Sequence, residues 1–149
     1  MTSSHLHDLS DDRIAIVYGA PSNPSHQREA LSLFEFEATL ERLRQAISAH
    51  DLWLIHEINP QMLAARADYA MLPARQLLVF HPRYLERLLI ADPSAVPEIP
   101  LKLIVLSMPD YTVTVRYCTA TALLGRYPTL TTLAAELDKV LESLVSEIC

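Results

Sequence analysis

Two histidines and a cysteine stand in or just after apolar runs. His56 lies in LWLIHEI (52–58), His81 follows RQLLVF (75–80), and Cys118 closes TVTVRYC (112–118). Imidazole serves as acid, base or metal ligand near neutral pH, and a thiolate as nucleophile or soft ligand. Brought together, with Glu57 and Tyr117 beside them, His56, His81 and Cys118 would support a small redox, metal-binding or hydrolytic site. Their spacing matches no metal or triad pattern. The plainer reading puts His56 at the edge of the core and His81 in a loop or helix cap. Arg116, two residues before Cys118, would favour its thiolate, whereas a buried thiol would be inert. Lys102 opens a strand, and its stem would lie over the Tyr117 ring with the ammonium in water. A desolvated, reactive lysine is the minority alternative. His56, His81, Lys102, Arg116, Tyr117 and Cys118 are therefore candidate ligand-binding residues. No catalytic residue, metal or cofactor is assigned. His5 and His7 lie in a polar N-terminal stretch, where metal capture would be adventitious because ordering a loose arm costs entropy.

The elements that must position these groups centre on Pro100–Cys118. Leu101–Ser107 and Tyr111–Cys118 are rich in β-branched and aromatic residues, and Met108-Pro109-Asp110-Tyr111 is a turn sequence between them. With Pro109-Asp110 at the tip, Met108 faces Tyr111, Leu106 faces Val113, Ile104 faces Val115 and Lys102 faces Tyr117. Alternation puts these eight on one face, which reads as the core face. The other face, with Leu101, Leu103, Val105, Ser107, Thr112, Thr114, Arg116 and Cys118, is mixed. That face is wet or covered by a second subunit, and a ligand site would sit there or under the last helix.

Upstream, the sequence predicts strands over 13–18, 29–34, 52–58 and 75–80, the last one central. It predicts a helix over 36–50, where Phe36, Leu40, Leu43 and Ile47 make one apolar stripe. A short helix over 61–71 and one from Pro82 to about Ile90 follow. After the hairpin come a short helix closed by Gly125 and a long one over 128–148. The long helix carries Leu130, Leu133, Leu137, Val140, Leu141, Leu144 and Ile148 as its stripe, capped by Thr129 or Thr131.

Composition narrows the function. The 149 residues carry net charge −6, and only Lys102 and Lys139 are lysines. Nucleic-acid binding rests on clustered basic residues, so no nucleic-acid partner is expected. Two glycines cannot build a glycine-rich phosphate loop. No run approaches the ~18 apolar residues of a membrane span, and no secretory leader is visible. Two cysteines make no disulfide framework, which fits a reducing cytoplasm.

Taken in order, 75–80, Pro82, Leu88-Leu89, 99–102, 113–117 and Tyr127 resemble the domain-of-unknown-function family three hundred and two. The helix FEATLERLRQAI followed by LWLIHEIN is similar to that family's opening, and the resemblance covers about Ala30 to Val145. It implies a TATA-binding-protein-like α+β architecture (strand, helix, four antiparallel strands, helix) and dimeric members, and it carries no activity. Two positions depart from the family pattern. An Ile-Asp-His strand end is Ile58-Asn59-Pro60 here, and a Phe-Gly-Asn-Pro segment is Phe80-His81-Pro82.

The expectation is a disordered arm over 1–12 and one α+β domain over 13–149. Its antiparallel sheet of four to five strands has a long helix and shorter helices on one face. The chain reads as a cytoplasmic, homodimeric binding or interaction module with a small-molecule or protein partner. The alternative is the redox, metal-binding or hydrolytic protein built on His56, His81 and Cys118.

Overall fold

A computed structural model describes residues 12–149. The expected arm, with His5 and His7, lies outside the described residues except for Asp12. Two short strands, β1 (Ile14–Ala15) and β4 (Tyr69–Ala70), pair in parallel. The main sheet contains β2 (Gln27–Leu31), β3 (Trp53–Ile58), β5 (Ala74–Phe80), β6 (Leu101–Ser107) and β7 (Val113–Cys118). Its order is β2-β7-β6-β5-β3, with every neighbouring pair antiparallel. The helices are α1 (Phe36–Ala49), α2 (Pro60–Arg66), α3 (Pro82–Ala91), α4 (Ala120–Leu124) and α5 (Thr131–Ser146). This is the expected α+β class. Among the described residues no helix is long and apolar enough to cross a membrane.

One face of the sheet is sealed by α1 and α5. The α1 stripe Phe36, Leu40, Leu43 and Ile47 is buried, as are Leu133, Leu137, Leu141 and Leu144 of α5. They join Leu77 and Val79 of β5, Leu101, Leu103 and Val105 of β6, and Val113 and Val115 of β7 in a single cluster. Each fully buried leucine contributes about 1.5–3 kcal/mol of transfer free energy. The helical period of 3.6 and the strand period of two thus meet in one core.

The hairpin corrects the expected register by one residue. Ser107 pairs with Val113, Leu106 with Thr114, Val105 with Val115 and Ile104 with Arg116. The turn explains it. Tyr111 N–H donates to Met108 O at 2.9 Å, Met108 N–H donates to Thr112 O at 2.9 Å, and Tyr111 sits at φ 69°. A tight turn followed by a left-handed residue inserts one extra position, whose twist suits the strands better than a bare type I tip. Asp110 Oδ1 steadies the loop by accepting from Thr112 N at 3.1 Å and Oγ1 at 2.6 Å. These bonds lower the Asp110 pKa, the Thr112 side chain contributing most. An odd slip swaps faces. Leu101, Leu103 and Val105 therefore form the core with Val113, Val115 and Tyr117, whereas Lys102, Ile104 and Leu106 join Thr114, Arg116 and Cys118 on the open face.

β5 is interior as expected, lying between β6 and β3, and β3 is an edge strand. Two further expectations change. A bulge between Leu54 and His56 breaks the alternation of β3, so Leu54 packs against the core while His56 is exposed. Neither threonine caps α5. Leu130 holds the N-cap position without a side-chain bond, and Thr129 Oγ1 donates to Ala91 O at 3.3 Å. A 3-10 turn, Pro128–Leu130, leads the chain into α5 instead.

Candidate functional site

Strand registers lay the open face out in rows. Ile58, Gln76, Ile104, Arg116 and Glu29 run side by side across all five strands. The next row is His56, Leu78 and Lys102, and it ends on Cys118 and Gln27. The row on the other side, Ala74, Leu106, Thr114 and Leu31, points toward the hairpin turn.

Two coverings leave only part of this face open. Toward the hairpin, the N-terminal segment crosses as a strap. It is tied by the β1–β4 pair, by Leu72 N–H donating to the Tyr18 hydroxyl at 3.1 Å, and by Arg116 Nη1 donating to Ser22 O at 3.1 Å. Its Tyr18–Pro21 stretch, Leu31, Thr114 and the hairpin turn enclose a hollow of about 630 Å³. Thr114 Oγ1 is buried there without a hydrogen-bond partner. At the opposite end stand a 3-10 turn, Pro93–Glu98, and α4. Asp92 Oδ1 caps the turn at Ser94 N. Asp138 of α5 holds the start of α4, accepting from Ala120 N at 2.6 Å, and Thr119 Oγ1 accepts from Ala122 N at 3.0 Å.

Between the coverings lies a cleft. Its main hollow, about 400 Å³, is floored by Gln76, Lys102, Ile104, Arg116 and Cys118 and walled by Glu98, Pro100 and Leu123. A lobe of about 350 Å³ extends over Leu78 and Ile58, and another of about 370 Å³ extends past Cys118 to His26 and Arg126. Clefts of roughly 300–1,000 Å³ with apolar walls and a few polar groups are the common form of small-molecule sites.

Most charges here are committed. Arg116 pairs with Glu29 and also donates to Gln27 Oε1 at 3.3 Å. Glu98 Oε2 accepts from the Tyr127 hydroxyl at 2.8 Å, and this bond raises the Tyr127 pKa. Lys102 is exposed, and among the described residues neither its ammonium nor the Gln76 amide has a side-chain hydrogen bond or ion pair. Tyr117 borders the cleft, but its ring is 7% exposed and belongs to the core. Burial raises its pKa first, with Glu142 adding to the effect.

Of the residues singled out from sequence, Lys102, Arg116 and Cys118 therefore meet on the open face, with Tyr117 at their edge. The histidines do not join them. His56 is three strands from Cys118, roughly 14 Å at about 4.8 Å per strand. His81 caps α3, its Nδ1 accepting from Arg83 N at 3.0 Å, and its ring packs edge-on against Trp53 at 5.3 Å. The trio is not one reactive cluster, and among the described residues no group of three His, Cys, Asp or Glu is placed to hold a metal. Gln76, Glu98 and Leu123 were missed. Gln76 had a visible signal, a lone amide in the apolar run 75–80. Glu98 and Leu123 had none, because only the packing of the 3-10 turn and α4 brings them to the sheet.

A family model described as Domain of unknown function DUF302 matches residues 28–148. The chain belongs to that family. A solved DUF302 structure, an uncharacterized conserved protein from Bacillus stearothermophilus, shares 19% identity at a TM-score of 0.79, covering 85% of this chain and all of its own. At that identity the likeness shows the fold alone. No curated protein matches the sequence. The two segments that the resemblance set apart have structural jobs in this DUF302 domain. Asn59 caps α2, accepting from Met62 N at 3.0 Å ahead of Pro60, and His81 caps α3 ahead of Pro82.

Proposed function

We propose that this DUF302 domain is a small binding module whose ligand occupies the cleft on the open sheet face. One observation carries the reading. The part of the sheet left bare by strap and 3-10 turn is floored by both apolar and uncommitted polar side chains, Ile104 and Leu78 beside Gln76 and Lys102. A merely solvated face needs no walls, whereas Glu98, Pro100 and Leu123 supply them.

The module works as a homodimer. Trp53 and Ile55 on edge strand β3 are 58% and 53% exposed, and Met62 and Leu63 on α2 are 55% and 50% exposed. Apolar side chains gathered at a sheet edge favour association. Cys118 and Cys149 are both free thiols, which suits work in the cytoplasm.

Native mass spectrometry of freshly purified protein under reducing conditions tests both parts. The expected spectrum shows twice the chain mass with an added mass that leaves on denaturation. Ile104→Trp, which fills the cleft floor, should abolish the added mass and keep the dimer. A monomer that retains nothing, before or after incubation with cell extract metabolites, would overturn the reading.

A further inference from the structure

We propose that the cleft takes an amphipathic carboxylate, its headgroup held by Lys102 and Gln76 and its apolar body lying along Ile104, Leu78 and Ile58. The inference rests on the reading of the cleft as a binding site and names the class of ligand.

Some of the cleft's polar groups are already paired within the protein and others are not. Arg116 already serves Glu29, Gln27 and the Ser22 carbonyl. Glu98 on the wall already accepts from Tyr127. Lys102 and Gln76 are on adjacent strands of the same face. Gln76 pairs with Ile104 and Lys102 pairs with Leu78, so the two are diagonal neighbours. Diagonal side chains of this length reach a common point above the sheet. An ammonium and an amide N–H converging there offer two donors to one carboxylate, and charge-assisted bonds of this kind are the stronger sort. The lobe shares Gln76, Lys102 and Glu98 with the main hollow, and the residues it adds, Ile58, Leu78, Pro97 and Ile99, are all apolar, so its far side suits a hydrocarbon or aromatic body. The partial commitment of Glu98 to Tyr127 weakens its repulsion of an anion without removing it. A cationic ligand would have to displace that bond and face Lys102 and Arg116 as well.

Three probes with one body and different heads separate the possibilities: octanoate, octanol and octylamine. The readout is the backbone amide shift of Gln76, Lys102 and Ile104 in two-dimensional NMR of the full chain. Octanoate should bind roughly tenfold tighter than octanol, the factor one charge-assisted bond supplies in a half-open cleft, and octylamine should bind weakest. Lys102→Met should bring octanoate down to the octanol level while leaving octanol unchanged. Glu98→Gln should tighten octanoate. If octanol or octylamine matches octanoate, the carboxylate class is wrong and the cleft stands as a binding site for something else. If no probe moves these amides, both the class and the binding reading fall.

Discussion

Replacing Tyr111 with glycine should stabilise the protein, and the sign of the change tests the hairpin register. Tyr111 holds φ 69° and is 98% exposed, so its ring buries nothing that glycine would forfeit. A left-handed backbone costs an L-residue roughly 1–2 kcal/mol. Glycine avoids that cost but loses about 0.5–1 kcal/mol more chain entropy on folding. The balance is a gain of about 0.5–1 kcal/mol. For a chain of this length ~1 kcal/mol moves Tm by about 2–4 °C. Calorimetry should therefore show a rise of about 1–4 °C, and urea unfolding should show a higher midpoint with an unchanged slope. Tyr111→Val should act in the opposite direction, since a β-branched residue tolerates positive φ least. Had the loop been the two-residue tip, Tyr111 would be an extended residue facing Met108. Glycine would then destabilise and valine would be tolerated. A lower Tm for Tyr111→Gly together with an unchanged Tyr111→Val would refute the bulged turn and the one-residue slip.

Glu57 accepts from Arg44 Nε at 3.0 Å and Nη2 at 2.8 Å, with Arg75 Nε at 3.8 Å. The Arg44 hydrogen bond, more than burial opposes it, lowers the Glu57 pKa. A lowered folded-state value stabilises above the unfolded carboxylate range near ~4.3 and loses that stability as pH falls through the folded value. Glu57→Gln should cost about 1–2 kcal/mol near neutral pH, allowing for solvent at the partly exposed Arg44. The gap in urea midpoint should close on acidification, and a gap independent of pH would count against the ion pair. Thr114→Val removes the buried, unpartnered hydroxyl and should be neutral or stabilising by up to about 1 kcal/mol. A clear loss of stability in the same assay would mean that Oγ1 has a bonding partner in solution.

The amphipathic helices were legible in the sequence because their signal is local. The Phe36, Leu40, Leu43, Ile47 stripe and the leucine stripe of the last helix repeat at the helical period, and all but the half-buried Val140 of those positions are buried. Strands β3, β5, β6 and β7 and the Pro82 and Gly125 boundaries came through for the same reason, whereas the strand expected over 13–18 is Ile14–Ala15 alone and β4 falls inside the helix expected over 61–71. Register was harder, because a strand's two faces exchange with a single inserted residue. Nothing in Met108-Pro109-Asp110-Tyr111 announces that Tyr111, rather than a glycine, takes the left-handed position. The same holds for the bulge after Leu54, which turned His56 to the open side at the sheet's edge.

Residue types thus determined the fold class, the core stripes, the family and the absence of any recognisable metal or triad spacing. Tertiary structure alone decided that Lys102 shares a face with Arg116 and Cys118, that His56 lies three strands away from that thiol, and that Glu98 and Leu123 wall the cleft. The physical reason is range. Periodicity and capping act over a few residues, whereas strand order, loop parity and the docking of a 3-10 turn against a distant sheet are fixed only when the whole core closes.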